Sequence, residues 1–144
     1  MSGYKMHLFF YLGILFALYT CIRVDVALMV FGTFTGLIYC LIPDLDTKKS
    51  FLGHRMYKAA TVLLVVSLLG LILLGERYYL ALALGSAILL LMLLFARHRG
   101  FMHSIPAAFL LSMPLLLINE KLFPFALSGY VSHLLLDRLS GIYN

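Results

Sequence analysis

The fold is decided by the stretch from residue 57 to residue 75, which reads YKAATVLLVVSLLGLILLG. It carries a single charge and is followed, after Glu76 and Arg77, by an uncharged apolar run at 78–96. A helix that crosses a bilayer needs about 20 mostly apolar residues. Lipid offers backbone groups no hydrogen-bonding partner, and these runs lack the alternation of membrane barrel strands, so we expect helices.

The rest of the chain repeats this pattern. Further apolar runs at 8–22, 24–43, 104–118 and 122–137 bring the predicted spans to six, with Pro106 and Pro114 expected to bend the fifth. Only 12% of the 144 residues are charged and 63% are hydrophobic. A soluble domain of this length would need more charged residues to cover its surface. The first run, longer than a usual signal core and lacking an A-x-A site, is interpreted as a retained helix. The sequence therefore predicts an all-α, polytopic transmembrane bundle, with residues 1–144 forming a single integral membrane domain.

Basic residues are distributed unevenly between the two sides that alternating spans create. One side holds the N-terminus, residues 44–56, residues 97–103 and the C-terminus. Eight basic residues fall there: Lys5, Lys48, Lys49, Arg55, Lys58, Arg97, Arg99 and Arg138. The other side holds three, Arg23, Arg77 and Lys121. Lys and Arg excess marks the cytoplasmic side, so both termini are predicted to be cytoplasmic in a multi-pass inner-membrane protein. Topology thus accounts for the net charge of +5 without a nucleic-acid partner.

The histidines and half of the acidic residues share this predicted cytoplasmic side. They are His7, Asp44, Asp46, His54, His98, His103, His133 and Asp137. Ionisable groups near membrane depth are costly and mark functional sites. Imidazole with carboxylate suits Zn, Mn or Fe. The seven candidate ligands, His54 excluded, exceed the three or four of one catalytic zinc, so we predict one or two divalent ions, with zinc favoured.

Each candidate also has a plainer interpretation. His133 and Asp137 lie four apart, on one helix face, and form either a chelating pair or a hydrogen bond that locks the last helix. Asp44 and Asp46, after Pro43, either converge on a cation in a turn or simply end the helix. His7 is either a ligand or an interfacial residue.

The segments between spans offer further candidates. Gly100 permits a turn that would bring His98 and His103 together. Arg99 has the forked geometry that matches phosphate or carboxylate, although ordinary contact with headgroups is the alternative. Ser104 is expected to cap the fifth helix. Residues 48–55, which include His54, are interpreted as a polar loop that contacts headgroups.

Three motifs occur in an order typical of one family. They are Pro43-Asp44-Leu45-Asp46, His98-Arg99-Gly100-Phe101-Met102-His103-Ser104, and Gly129-Tyr130-Val131-Ser132-His133-Leu134-Leu135-Leu136-Asp137, with His7 as an early histidine. Together they resemble the YdjM-like family of membrane-bound proteins, which are predicted metal-dependent hydrolases. The family usually has a histidine after the first motif, and this chain has Thr47. The resemblance implies a hydrolase whose metal ligands are His7, Asp44, Asp46, His98, His103, His133 and Asp137.

The leading hypothesis is a hydrolase at the cytoplasmic membrane interface that acts on a phosphoester or a lipid headgroup. Asp46 is the candidate proton acceptor, and Arg99 the candidate for stabilising developing negative charge. Substrate binding is assigned to Lys48, Ser50, Arg55 and Arg99. The alternatives are a transporter or metal-handling protein and a structural or regulatory protein with a polar cap.

Two smaller expectations concern packing. Cys21 and Cys40 fall near opposite ends of antiparallel spans, so no disulfide is predicted. Gly32 and Gly36 form a G-x-x-x-G pattern, which is expected to bring helices close together within one chain. The oligomeric state is left open.

Overall fold

The computed structural model describes residues 4–46, 51–95 and 101–141, and these ranges contain helices and turns but no β-strand. The all-α prediction is confirmed. The helices are α1 (Tyr4–Cys21), α2 (Val26–Leu41), α3 (Phe51–Leu74), α4 (Arg77–Phe95), α5 (Ile105–Ser112), α6 (Leu115–Ile118) and α7 (Phe123–Leu139). Two short 3-10 segments, Ile42–Asp46 and Glu120–Leu122, follow α2 and precede α7.

Several helices have the length and composition of membrane spans. Within the described ranges, Val26–Asp44, Tyr57–Leu74 and Arg77–Leu94 are long and apolar enough to cross a bilayer. Lys5–Cys21 and Ile105–Ile118 are apolar but shorter. The six-span count and the cytoplasmic placement of both termini stay predictions.

Local chemistry explains where the helices begin and bend. The Asp25 carboxylate accepts hydrogen bonds from the backbone N–H groups of Ala27 and Leu28, which caps α2. Ser104 caps α5 through Ala107 N–H at 3.3 Å, as predicted. The predicted fifth span is interrupted between α5 and α6, where Pro114 lacks an N–H for the helical ladder. Pro106 instead lies in the first turn of α5, where a proline is tolerated.

The interpretation of residues 48–55 as a loop is wrong for the part that the structure describes. The backbone from Phe51 onward already belongs to α3, so His54 and Arg55 lie in a helix. Hydrophobicity marks the part of a helix that lies in lipid, whereas the helix itself continues into the polar interface. The apolar run that begins at Tyr57 therefore underestimates the length of α3.

The chain divides into two compact units, and each is described separately. The first comprises residues 1–43 and 121–144 and contains α1, α2 and α7. There α2 crosses α7 so closely that a Cβ added to Gly129 would overlap the Gly36 carbonyl. A Cβ on Gly32 would lie 2.8 Å from the Phe125 ring. The prediction that the G-x-x-x-G pattern packs within the chain is confirmed.

The second unit, residues 44–120, is built on a hairpin of α3 and α4, with α5 and α6 packed against α4. Gly75, with φ +68°, ends α3 in a conformation that favours glycine. Small buried residues, among them Ala60, Ser67 and Ser86, let α3 and α4 approach. Outward-facing residues such as Ile72 and Leu73, both 78% exposed, are the apolar surface expected of a helix in lipid.

Candidate metal centre

Two of the predicted ligands lie one turn apart near the end of α7. His133 is fully buried and Asp137 is 5% exposed. The Nε2 atom of His133 lies 3.2 Å from Oδ2 of Asp137, because residues four apart share one helix face. The chelating geometry expected of this pair is therefore present.

His7 brings a third candidate ligand from the first turns of α1. Its Nε2 atom lies 3.4 Å from Oδ1 of Asp137, so each carboxylate oxygen faces a different imidazole. The His7 and His133 rings are stacked, with centroids 3.9 Å apart and planes 13° apart. His7 is 2% exposed, so the interpretation of this residue as merely interfacial does not fit.

A backbone carbonyl fixes the orientation of His133. Its Nδ1 atom lies 2.7 Å from the carbonyl oxygen of Cys40, near the end of α2. A carbonyl oxygen can only accept, so Nδ1 must carry the hydrogen and donate. The other nitrogen, Nε2, is thereby directed at Asp137. Metal-binding histidines are commonly held in this way, by a carbonyl that accepts from the second ring nitrogen.

With this tautomer, a positive charge between His133 and Asp137 would stabilise the cluster. In a neutral ring the Nε2 lone pair of His133 would face a carboxylate oxygen 3.2 Å away, inside a buried site. Two electron-rich atoms at that separation repel each other, and burial strengthens the repulsion. A cation at this point removes the repulsion, and it is either a proton or a metal ion. The arrangement therefore suits both the chelating and the hydrogen-bonding interpretations of the pair.

The spacing and the donor types fit a metal ion. Two ligand atoms bound to one tetrahedral zinc, each at about 2.0–2.1 Å, lie about 3.3–3.4 Å apart. The nitrogen–oxygen distances here are 3.2 Å from His133 to one oxygen of Asp137 and 3.4 Å from His7 to the other. His7, His133 and Asp137 each offer a ligand atom, and all three atoms lie within 4.8 Å of one another. Two imidazoles and one carboxylate form the ligand set of a catalytic zinc, which keeps a further position open.

Two further residues support the cluster, and the sequence interpretation assigned neither to it. The Cys40 thiol donates to the His7 carbonyl at 3.5 Å, and the Ser132 hydroxyl lies 3.8 Å from the Cys40 sulfur. The thiol thus links α1, α2 and α7 directly behind the histidines. Ser132 is next to His133 in the third motif, so its position in the sequence could have indicated a role at the site. Cys40 lies in none of the motifs, and no sequence pattern indicated its role. Both cysteines lie in the described ranges, and they are not bonded to each other, as predicted.

Comparison with known protein families shows which family the chain belongs to. The sequence model of the YdjM inner membrane proteins matches residues 2–142, nearly the whole chain. The chain belongs to the YdjM inner membrane protein family. No curated protein and no solved structure shows a significant match. Membership, together with the apolar helices, identifies a membrane protein.

The second unit of this family member also contains predicted ligands. Asp44 lies in the 3-10 segment after α2, and His103 lies in the turn before α5. Their ligand atoms approach within 4.8 Å of each other. The carboxylate of the first motif and the second histidine of the middle motif are thus brought together.

The remaining predicted site residues lie outside the described part of the chain, either entirely or in their side chains. Lys48, Ser50, His98 and Arg99 lie outside the described residues, as does Thr47. For Asp46 and Arg55 the description covers the backbone but not the side chain. Their assigned roles stay predictions.

A cavity of about 500 Å³ lies at the other end of α1, α2 and α7. Tyr19, Leu28, Phe125 and Ser128 are among the residues that line it. Of its described lining residues none is a histidine or a carboxylate, so the cavity is separate from the candidate metal centre.

Proposed function

We propose that this YdjM family member is a metal-dependent hydrolase that acts at the membrane interface. The observation that supports it most is the buried His7–His133–Asp137 cluster, in which two imidazole nitrogens face one carboxylate at 3.4 and 3.2 Å. A purely structural ion pair needs one histidine. A second buried imidazole, with its Nε2 atom 3.4 Å from the other carboxylate oxygen, offers the further nitrogen ligand that a metal ion would use.

The cluster would hold one ion through His7, His133 and Asp137, with zinc favoured over manganese and iron. A divalent ion so bound supplies Lewis acidity and a source of hydroxide at neutral pH. Asp137 would provide the negative charge that offsets part of the ion's charge, and the two imidazoles would provide neutral nitrogen ligands. Asp44 and His103 would hold a second ion, with Asp46 and His98 completing its ligand set.

The substrate is proposed to be a phosphoester or lipid headgroup reached from the cytoplasmic side. Arg99, with Lys48 and Arg55, would bind and stabilise negative charge on the substrate, since guanidinium groups match phosphate oxygens in pairs. Ser50 would contribute a hydrogen bond, and Asp46 would accept a proton. Placement at the level of the headgroups favours an ester there over a peptide bond.

The transporter alternative receives no support from the polar residues of the helices. A cation path would need their hydroxyls, yet each hydroxyl donates to a carbonyl three or four residues earlier in its own helix. The six residues are Thr33, Thr35, Ser67, Ser86, Ser112 and Ser128. Their donors are thus satisfied within their own helices, and the positions of these residues are explained without a cation path.

The first test is the metal content of the purified protein, prepared without chelators and measured by elemental mass spectrometry. We expect stoichiometric metal in the wild type and its loss in His133→Ala and Asp137→Ala. Glu76→Gln removes an exposed carboxylate from the turn between α3 and α4 and should leave the content unchanged. A wild type that neither contains metal nor rebinds it would leave the structural or regulatory protein as the better reading.

Activity is tested separately, by release of headgroup or phosphate from phospholipid vesicles that contain the metal-loaded protein. We expect turnover in the wild type and in Glu76→Gln, and none in Asp137→Ala. Normal turnover in both His133→Ala and Asp137→Ala would refute the assignment of this cluster.

A further inference from the structure

The carbonyl that orients His133 belongs to a place where the helix changes its hydrogen-bonding pattern. In an α-helix the Cys40 carbonyl would accept from the residue four positions on, and in a 3-10 helix from the residue three positions on. The chain passes from α2 into the 3-10 segment Ile42–Asp46 at this point. The Ile42 N–H already bonds the carbonyl of Tyr39, three residues earlier.

The next bond of this 3-10 pattern would run from residue 43 to the Cys40 carbonyl. Residue 43 is a proline, which has no N–H. In the 3-10 pattern the donor to the Cys40 carbonyl would be residue 43, and proline is the one residue type without a backbone N–H to donate. The His133 ring donates to the same oxygen at 2.7 Å. Pro43 is fully buried, so it stands inside the packed unit and not in a solvated turn.

We propose that Pro43 is a positioning residue for the metal centre. By withholding a backbone N–H, it keeps the Cys40 carbonyl available to Nδ1 of His133. That bond fixes the tautomer of the ring and directs Nε2 at Asp137, 3.2 Å away. The inference rests on the proposed metal site for its functional meaning, whereas the hydrogen bond itself can be tested without metal. Pro43 thus has a role distinct from that of the carboxylates that follow it.

Pro43→Ala supplies the missing N–H, which would compete with His133 for the carbonyl. Loss of an outer-shell hydrogen bond to a ligating histidine typically costs about 10–100-fold in metal affinity. We expect a loss of this size in competitive zinc titrations of the purified protein in detergent. Pro114→Ala is the matched control, because Pro114 is also buried at a helix break, and it should bind zinc like the wild type.

A second variant separates the missing donor from the rigid ring. Lactic acid, incorporated at position 43 by nonsense suppression, has the side chain of alanine but an ester oxygen in place of the N–H. If the absent donor is what matters, this chain binds zinc nearly as the wild type does while Pro43→Ala does not. Equal weakening in both folded variants would overturn the inference, since the proline ring would then be responsible. Should Pro43→Ala not fold, weak zinc binding by the folded lactic acid chain would still refute it.

Nitrogen-15 spectra of labelled histidine side chains provide a readout that needs no metal. We expect the wild-type and lactic acid chains to show His133 with its hydrogen on Nδ1, and Pro43→Ala to show a changed population of tautomers. An unchanged His133 signal in Pro43→Ala would refute the positioning role. A wild type that binds no zinc but shows the expected tautomers would count against the proposed function alone.

Discussion

The α2–α7 crossing and the α3–α4 hairpin are both close helix pairs, but they achieve closeness in different ways. In the crossing, Gly129 lies so near the Gly36 carbonyl that backbone meets backbone. In the hairpin, Gly70 makes room for a side chain, the Tyr79 ring, which an added Cβ would meet at 2.5 Å. The first contact cannot yield without moving a helix, whereas the second can yield by rotating a ring.

In the described part of the chain, the two helix pairs differ in that the crossing contains a hydrogen bond between a side chain of one helix and a carbonyl of the other. The crossing brings the Cys40 carbonyl within 2.7 Å of the His133 ring, which a wider separation of α2 and α7 would break. The α3–α4 hairpin buries Ser67 and Ser86, whose hydroxyls bond their own helices and need no neighbour. Close backbone contact thus occurs where a side chain on one helix must reach a carbonyl on the other.

Gly129→Ala is expected to have the largest effect, because it changes the α2–α7 crossing itself. The added methyl group would overlap the Gly36 backbone, so α7 must move away from α2. Overpacking of a core costs about 1–3 kcal/mol and occasionally more, and we expect the upper end here, together with loss of bound metal. Unfolding in mixed micelles and metal content measure the two effects.

Gly13→Ala is the control for this change. Gly13 also lies within a helix, but an added Cβ there would meet nothing within 4 Å. Alanine is favoured over glycine in helices by about 0.5–1 kcal/mol, so stability should be unchanged or slightly raised and the metal retained. Equal losses in the two variants would show that the crossing is not the source of the effect.

Asp137→Asn tests the chemistry that the crossing supports, with little change of shape. The amide keeps the volume of the side chain but removes the charge that faces both imidazoles. At a free metal concentration of 100 times Kd, binding stabilises the wild type by about 2.7 kcal/mol. We expect this metal-dependent increase to vanish in Asp137→Asn, and chelator to abolish it in the wild type.

Melting curves with and without added zinc check this prediction. Asp25→Asn serves as a control. Asp25 caps the beginning of α2, and the candidate ligands of this unit lie at the opposite end of that helix. A zinc-dependent increase in stability that persists in Asp137→Asn would mean that the metal binds elsewhere.

Gly70→Ala should perturb the hairpin without reaching the metal centre. The added methyl group meets the Tyr79 ring, which can rotate away, so the cost is expected near the low end of overpacking, about 1 kcal/mol. Unfolding and metal content are again the measurements. Metal loss as complete as in Gly129→Ala would contradict the separation of the two pairs.

The sequence predicted the helices well because lipid leaves little choice. Apolar runs such as 57–75 must be helical, and the α-helices follow them to within a few residues at most ends. The beginning of α3 is the exception, because helical structure continues beyond the apolar part into the interface. Residues four apart on one helix, His133 and Asp137, were predictable for the same reason: their separation is a property of the helix alone.

The contribution of Cys40 could not be predicted from the sequence. Its carbonyl is a backbone group that every residue possesses, and its proximity to His133 depends on how α2 and α7 cross. His7 was an uncertain candidate for a similar reason, since its approach to Asp137 depends on the packing of α1. Spacing along one helix is encoded locally, whereas contacts between helices are known only once the crossing is known.

The smallest effects are expected for Ser67→Ala and Ser86→Ala in the hairpin. Each hydroxyl donates to a carbonyl of its own helix, at 3.0 and 2.7 Å, and such carbonyls retain their helical donors when the hydroxyl is lost. Stability should therefore change by less than about 1 kcal/mol, and metal content and turnover should stay at wild-type levels.

Uptake of zinc into vesicles that contain the protein is measured for the same variants, because a transport path would depend on these hydroxyls. Uptake in the wild type that falls in either serine variant would favour the transporter, and would place functional polar groups in the α3–α4 hairpin.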